Sequence, residues 1–135
     1  MRVLFIDEYL PQAMLGMMWH SRAVKDAGHE CRALFIPDKD WLAKIREYAP
    51  DVVCYTVTTG MHLYFADINR KVKEVLPEVF TVFGGPHPTF SPEYVETDGI
   101  DSICRGEGEL ALVDLLGTLE RGEDYYETET FFFKH

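Results

Sequence analysis

The residues best suited to chemistry in this sequence lie in one stretch, at positions 82–93. An apolar run ends there in the pair Gly84-Gly85, and His87 follows between two prolines. Glycines at the end of a strand let a large group approach the backbone, because they carry no Cβ. A histidine held between prolines suits either metal ligation or a hydrogen bond to a bound group. The stretch therefore predicts a ligand-binding loop, and a tight strand-to-helix turn is the alternative.

Three further loops share the character of this one, at residues 8–12, 57–60 and 105–109. They contain small residues and hydroxyl groups and carry few cations. In a parallel α/β sheet, such loops meet at the carboxyl ends of the strands, where ligands bind near the switch in strand order. We therefore expect one site to be formed by all four loops.

The elements that position these loops follow from the hydropathy pattern. Amphipathic segments with helical spacing alternate with short apolar runs. The runs predict strands at residues 2–7, 29–36, 51–56, 79–83 and 100–104. This alternation predicts an α/β fold with a doubly wound, five-stranded parallel sheet. The flavodoxin-like (Rossmann-like) strand order 2-1-3-4-5 is the most economical for this length. In addition, Ser91 is predicted to cap a short helix at residues 91–97.

Composition restricts the possible partners. The chain of 135 residues has a formal net charge of −10, which argues against nucleic acid or an anionic membrane. No apolar run approaches the roughly 20 residues that cross a bilayer, and the first run is too short for a signal peptide. The three cysteines lie far apart in apolar runs, as expected for buried thiols of a cytoplasmic protein. No CxxC spacing is present, so sulfur ligands alone cannot hold an iron–sulfur cluster.

Several familiar activities do not fit the loops. A dinucleotide site would need G-x-G-x-x-G after the first strand, but residues 8–12 contain no glycine. A phosphate-accepting receiver domain needs an aspartate after the third strand, where Thr56 and Thr58 stand. No G-x-S-x-G nucleophile motif is present. The chain alone therefore lacks the residues of a complete catalyst.

Residues 123–135 do not fit the predicted domain, which spans residues 1–122. They pass from acidic, tyrosine-rich sequence to the aromatic run Phe131-Phe132-Phe133. A complete small domain rarely leaves such a cluster at its end. We interpret the segment as a linker and the start of a missing C-terminal domain, or as a tail that contacts a partner protein. A terminal strand docked on the sheet is the remaining alternative.

Three strings together resemble a known family: Gly-Gly-Pro-His-Pro-Thr at 84–89, Ser-Pro-Glu at 91–93 and Arg-Gly-Glu-Gly-Glu at 105–109. They resemble the N-terminal cobalamin (B12)-binding domain of B12-dependent radical SAM enzymes, and the resemblance covers residues 1–122. It implies a corrin ring over the carboxyl ends of the strands, with its nucleotide tail beside the sheet. The implied cofactor is cobalamin in its hydroxo, methyl or adenosyl form. The full enzyme would add a [4Fe-4S] cluster and S-adenosylmethionine, neither of which this chain would bind.

The resemblance also implies roles for individual residues. Gly84 and Gly85 would make room for the nucleotide tail, and Glu107 would contact its base. No protein ligand to cobalt is expected, although His87 and Tyr9 are conceivable contacts. The implied cofactor-binding residues are Glu8, Tyr9, Leu10, Thr56, Thr58, Thr59, Gly60, Gly84, Gly85, Pro86, His87, Pro88, Gly106, Glu107 and Gly108.

One departure from the wider B12 fold matters. Mutases and methionine synthase carry D-x-H-x-x-G after the first strand, and the histidine ligates cobalt. Here Tyr9 stands at the position of that histidine and Gln12 at that of the glycine. The departure favours the radical SAM branch and implies cobalamin bound base-off. The lower cobalt face would then be water-bound, empty, or covered by Tyr9 or Leu10.

Two further groups of residues have more ordinary expectations. His20, His29 and His62 are expected to face solvent or to be satisfied in place, and His62 lies nearest to the loops. The cluster of Met14, Met17, Met18 and Trp19 is expected in the core of its helix, or against the apolar rim of the corrin.

The resulting interpretation is a cofactor domain of a B12-dependent radical SAM methyltransferase, which would not be catalytic alone. A free-standing cobalamin carrier or B12-sensing module is the first alternative. A receiver-like signalling domain without phosphorylation is the second.

Overall fold

The computed structural model of the chain describes residues 1–8, 14–36 and 38–134. Strands and helices alternate along the chain, as the hydropathy pattern predicts. The elements are β1 (Arg2–Glu8), α1 (Met14–Asp26), β2 (Glu30–Ile36), α2 (Trp41–Tyr48), β3 (Val52–Thr56), α3 (His62–Val75), β4 (Phe80–Gly84), α4 (Pro86–Phe90), a 3-10 helix (Pro92–Glu96), β5 (Ser102–Cys104), α5 (Glu109–Arg121) and β6 (Phe131–Phe133).

The strands form one sheet in the order β2-β1-β3-β4-β5-β6. The first five strands are mutually parallel, which confirms the α/β class and the predicted order 2-1-3-4-5. The strand order reverses between β1 and β3. The loops that follow these two strands therefore run to opposite faces of the sheet and leave a crevice between them.

The prediction of five strands was wrong by one. The tail adds β6, which pairs antiparallel with β5 and places Phe133 opposite Ser102. Phe131 and Phe133 are buried, while Phe132 between them is exposed. This alternation is the pattern of a strand with one covered face. The docked terminal strand, which the sequence left open as an alternative, is therefore the arrangement of residues 131–133.

Both faces of the sheet are covered by helices, because the central strands are apolar on both sides. One core cluster includes Ile45 of α2 and Phe65 of α3. The cluster on the opposite face includes Val24 of α1 and Leu115 of α5. Helices α1 and α5 thus cover the face that also carries the candidate site.

A polar network fixes the beginning of β4 to the segment before β5. Asp101 Oδ2 accepts hydrogen bonds from Lys73 Nζ at 2.7 Å, from the Thr81 amide at 2.9 Å and from the Thr81 hydroxyl at 3.0 Å. Charge-assisted hydrogen bonds of this kind are stronger than neutral ones. They hold the register in which Phe83 of β4 lies beside Ile103 of β5.

The segment after β4 differs from the prediction. Residues 86–90, predicted as a loop, form the short helix α4, because Pro86 supplies a preset φ in its first turn. Ser91, predicted as a side-chain cap, makes no capping hydrogen bond with its side chain; its amide donates to the His87 carbonyl at 2.8 Å instead. The chain therefore passes from α4 directly into the 3-10 helix.

Within the described residues, no helix has the length and apolar character needed to cross a membrane.

Candidate functional site

A cavity of about 270 Å³ lies beside the sheet, on the face covered by α1 and α5. Four strands supply its floor with Phe5 of β1, Cys54 of β3, Val82 of β4 and Cys104 of β5. These side chains share one face because side chains alternate along a strand. The floor is therefore apolar and contains two thiols.

The helices and one loop complete the cavity. Helix α1 contributes Gly16, Met17 and His20, which lie on one side of the helix because three to four residues make a turn. Leu112 of α5 faces them. Phe131 of β6 closes the side formed by the tail.

Several predicted binding residues line this cavity, and they come from three of the four predicted loops or their preceding strands. They are Thr56, Gly84, Gly85, Gly106, Glu107 and Gly108. Glu107 and the neighbouring Glu109 are exposed, so these two carboxylates of the lining lie at its solvent side.

The other predicted binding residues lie at the same edge of the sheet but outside the cavity lining. Glu8 ends β1, and its amide donates to Asp7 Oδ1 at 2.7 Å. Thr58, Thr59 and Gly60 follow β3, whereas Pro86, His87 and Pro88 form the first part of α4. Tyr9 and Leu10 lie outside the described residues.

Gly84 and Gly85 differ in what surrounds them. A Cβ on Gly84 would have no neighbouring heavy atom closer than 4.0 Å, so this glycine leaves real space at the cavity wall. Gly85 has a φ of 98°, and its Cβ would lie 2.9 Å from Val57 N. Gly85 is thus required by the turn into α4 and by the approach of the β3 loop. The space predicted for both glycines belongs mainly to Gly84.

Gly108 permits the loop before α5 to lie directly on the cavity floor. A Cβ there would lie 2.8 Å from Cys104 Sγ, closer than such atoms approach in proteins. Gly108 is therefore required by the packing of this loop against β5.

His87 is packed into the junction between the loops that follow β3 and β4. Its ring stacks on the ring of His62 at a centroid distance of 4.1 Å and meets Tyr94 edge-on at 4.8 Å. Its Nδ1 lies 3.0 Å from Thr59 Oγ1, which is a hydrogen bond. Burial, reinforced by nearby His62, lowers the pKa of His87, while Glu93 acts in the opposite direction. The contacts assign this histidine to the packing of the loops.

His62 is satisfied in place, as expected. Its Nδ1 accepts a hydrogen bond from the Gly60 amide at 3.2 Å, and its carbonyl accepts one from Tyr94 Oη at 2.6 Å. The hydroxyl loop after β3 is thereby tied to the first turn of α3.

Sequence reasoning missed several residues of the cavity, and two of them matter most. His20, expected only to face solvent or be satisfied in place, reaches the lining from the second turn of α1. Phe131 was missed because the tail was assigned to a linker. The sequence contained one signal for His20, because it lies four residues after Gly16 and so on the same side of the helix. The sequence of α1 has no polar stripe, however, that would show which side faces the sheet.

The methionine cluster of α1 divides between the core and the surface. Met17 is buried and lines the cavity. Met18 and Trp19 are 62% and 60% exposed, so their prediction as helix core was wrong. The packed face of α1 runs through Met17 and Val24, and this leaves Met18 and Trp19 on the open side. The side chain of Met14 lies outside the described set.

Other large apolar side chains are also exposed where helices begin or end at the carboxyl edge of the sheet. We call this set, together with the two residues of α1, the apolar rim. It consists of Leu15, Met18, Trp19, Leu63, Phe90 and Leu110. Exposed apolar groups gathered at one edge indicate a surface that another body covers.

Burial shifts the pKa of three ionisable groups near the site in the direction of the neutral form. Burial raises the pKa of the Cys54 and Cys104 thiols, so both are protonated. Burial likewise raises the pKa of Asp7, although the hydrogen bond from the Glu8 amide works against this shift. Asp7 Oδ2 has no hydrogen-bond partner within the described part of the chain.

Among the described residues, no group of three or more histidine, cysteine, aspartate or glutamate side chains could hold a metal ion. Any metal at this edge would therefore have to arrive within a larger cofactor or be held by other residues.

The fold and the cavity define a ligand-binding α/β domain of the flavodoxin-like class. Residues 3–116 match the model of the family described as the B12 binding domain. This match spans most of the chain, and the chain belongs to that family. The cofactor of the family is cobalamin.

The chain is also similar in sequence to parts of individual proteins. The hopanoid C-3 methylase of Methylococcus capsulatus is 29% identical over 126 residues, which are 88% of this chain and 24% of that protein. The anaerobic magnesium-protoporphyrin IX monomethyl ester cyclase of Cereibacter sphaeroides is 36% identical over 115 residues, 78% of this chain and 18% of that protein. This chain thus spans about a quarter of these relatives or less.

A solved structure shares the fold over nearly the full chain. It is the radical S-adenosylmethionine methyltransferase TsrM from Kitasatospora setae with cobalamin and [4Fe-4S] cluster bound. The TM-score is 0.85 at 21% identity, over 99% of this chain and 29% of that one.

Proposed function

We propose that this chain binds cobalamin base-off as the cofactor domain of a B12-dependent radical SAM methyltransferase. The observation that carries the proposal is the cavity beside the sheet, with open space at Gly84 in its wall. The cobalamin-bound TsrM structure and the methylase among the relatives support the same function. We infer that the protein acts in the cytoplasm, where the free thiols of Cys31, Cys54 and Cys104 stay reduced.

The residues of the cavity fit a cobalamin tail. The floor is apolar, as a flat heterocyclic base requires, and no lysine or arginine is among the described residues of the lining. This absence is no obstacle, because cobalamin is nearly neutral overall. Gly84 leaves its Cβ position open, so a group entering the cavity can lie against the backbone of β4.

Residues of the loops would hold the parts of the cofactor outside the cavity. Thr58 and Thr59 are exposed at the edge of the sheet and offer hydroxyls to the amide side chains of a corrin. Glu107 and Gly108 stand where the loop after β5 meets the cavity. Bound cobalamin would supply a cobalt centre suited to methyl transfer.

Tyr9 stands directly after β1 at the position where the mutases carry their cobalt-ligating histidine. His87 is bound to Thr59 and stacked on His62, which supports a packing role for it. A base-off cofactor with its tail in the cavity is consistent with both features.

The apolar rim supports a role for a neighbouring domain. Its exposed side chains surround the edge at which the corrin would lie. The relatives are four or more times longer than the matched part, which leaves room for a radical SAM domain. We infer that such a domain, which would carry the [4Fe-4S] cluster and S-adenosylmethionine, covers the rim.

The test is direct binding. The purified chain is incubated with hydroxocobalamin, desalted, and examined by visible absorption spectroscopy. We expect the corrinoid to stay with the protein and to show a base-off spectrum. Loss of the colour on desalting would contradict cobalamin binding, and a base-on spectrum with nitrogen-ligated cobalt would contradict the base-off state alone.

A further inference from the structure

Among the described residues, His20 is the one histidine in the lining of the cavity, and a hydrogen bond to the backbone orients its ring. Its Nδ1 lies 2.7 Å from the carbonyl oxygen of Gly16, one helical turn earlier. A carbonyl oxygen can only accept, so Nδ1 carries the proton and donates it. In the neutral ring, Nε2 is then left with a lone pair.

The same ring places Nε2 beside the loop that precedes α5. Nε2 lies 3.7 Å from the position that a Cβ of Gly108 would occupy. Cys104 Sγ lies 2.8 Å from the same point. His20 therefore reaches from α1 across to the Gly108 loop, and its free nitrogen stands at the wall of an otherwise mainly apolar cavity.

We propose that His20 recognises the nucleotide tail of a bound corrinoid, by accepting a hydrogen bond at Nε2 from a ribose hydroxyl. This inference rests on the proposed function, because it requires the tail to enter the cavity. The choice of the ribose follows from chemistry. A base-off benzimidazole presents a nitrogen lone pair, which cannot donate to Nε2, whereas ribose hydroxyls can donate.

His20 differs from the other polar side chains of the lining in its exposure to water. Glu107 and Glu109 are exposed at the solvent side, where water competes for their oxygens. His20 is half-buried and reaches the lining from α1. A hydrogen bond to this partly buried nitrogen discriminates more strongly than one to an exposed carboxylate, because water competes less for it.

The experiment compares two corrinoids that differ only in the tail. Cobalamin and cobinamide, which lacks the nucleotide, are titrated into the wild-type chain, His20→Ala and His20→Gln. We expect His20→Ala to weaken cobalamin binding about fivefold, as for the loss of one hydrogen bond, and to leave cobinamide binding unchanged. We expect His20→Gln to stay within about twofold of wild type, because its amide oxygen can replace Nε2 as the acceptor.

The matched control is Arg22→Ala, on the same helix. The Arg22 side chain is 76% exposed and pairs with Asp26, one turn later on the same helix, so neither affinity should change. Circular dichroism of each variant verifies that the fold is kept.

Each outcome decides the inference. Equal weakening of both corrinoids by His20→Ala would show a structural effect and overturn it. Unchanged cobalamin binding in His20→Ala would overturn it while leaving the proposed function intact. If the wild-type chain binds neither corrinoid, the proposed function fails and the role of His20 fails with it.

Discussion

Gly84 and Gly85 are neighbours in sequence, but the atoms around them differ. Gly84 belongs to β4 and has open space where a side chain would project. Gly85 turns the chain at positive φ against the backbone of Val57. Substitution at the two positions should therefore affect different properties, ligand binding at the first and stability at the second.

Gly84→Val tests the cavity wall. We expect the valine to weaken cobalamin binding at least tenfold, because its side chain occupies the space that the tail needs. We expect the free energy of unfolding to change by less than about 1 kcal/mol, because valine suits a strand and its Cβ meets no heavy atom closer than 4.0 Å. Equilibrium binding and urea unfolding measure the two quantities.

Two controls accompany this variant. Gly117→Ala, in α5 and away from the cavity, should leave binding unchanged. Gly85→Ala should lower the free energy of unfolding by about 2 kcal/mol, because its backbone has positive φ and its Cβ would crowd Val57. Unaltered cobalamin affinity in Gly84→Val would remove the cavity from the proposed site.

His87 should make the stability of the domain depend on pH. Burial and His62 lower its pKa in the folded chain below the ordinary value of 6.5. The unfolded chain then binds the proton more readily, so the contribution of neutral His87 is complete above about pH 6.5. It is lost as the pH falls through and below this value.

His87→Asn measures this contribution. The free energy of unfolding is determined between about pH 7.5 and 5 for both proteins. We expect wild type to lose more stability on acidification than the variant. His29, whose pKa burial also lowers, and Asp7 are present in both proteins and cancel in the difference. Parallel pH profiles would show that His87 is not held neutral by the fold.

At the residue scale, the sequence was enough to predict that glycines of the loops line the binding site. It was not enough to predict what each glycine does there. The open space at Gly84 and the turn at Gly85 depend on where the β3 loop approaches, which local sequence does not encode. His20 was missed for a similar reason. The side of a helix that faces a cavity is decided by tertiary packing, and Met17, Met18 and Trp19 give no clear apolar stripe.

Strand β6 is the element that changes the predicted architecture most. It brings Phe131 into the lining of the cavity and covers β5. Arg105, which follows β5, lies over the ring of Phe132 and donates to the Thr89 carbonyl at 3.0 Å. Arg105 thus connects the tail to the loop after β5 and to helix α4.

The buried and exposed residues of β6 provide a matched pair of variants. Phe131→Ala should lower the free energy of unfolding by about 3 kcal/mol, because it removes a buried ring and leaves a cavity. Phe132→Ala, at an exposed position of the same strand, should cost less than about 1 kcal/mol. Chemical denaturation compares them, and equal effects would contradict the assigned burial.

At the element scale, the parallel strands could be predicted because each is a continuous apolar run between turn signals. Residues 131–133 form a run of only three, which length and periodicity cannot separate from an exposed tail. Helix α4 was also beyond local patterns, because its two prolines suit a loop as well as a first helical turn.

For the whole molecule, cobalamin binding should appear as thermal stabilisation. At a free concentration of about 100 times Kd, a ligand adds about 2.7 kcal/mol to the free energy of unfolding. For a domain of this size, this corresponds to a rise in Tm of roughly 10 °C. Thermal unfolding followed by circular dichroism with hydroxocobalamin measures the rise.

The same measurement on Gly84→Val tests whether the rise in Tm comes from binding in the cavity. The variant should keep the Tm of the free protein and show little rise with the cofactor. A rise of the same size in both proteins would indicate binding elsewhere on the molecule.

At the scale of the whole chain, fold class and strand order were predictable because alternating elements allow few parallel topologies. The position of the cavity could be predicted only as an edge of the sheet. Its exact walls required α1, α5 and β6 to be placed together, and its lining brings together residues more than a hundred positions apart, such as Phe5 and Phe131.

Strand β6 has a consequence for how copies of the molecule meet. Without it, β5 would present unpaired amide and carbonyl groups along an open edge, and such edges recruit strands from other molecules. β6 is only three residues long and is followed by Lys134, while β2 at the opposite edge carries Glu30 and Arg32. Short length and charge make both borders poor templates for further strands. The residues that close the cavity thereby also protect the sheet against aggregation.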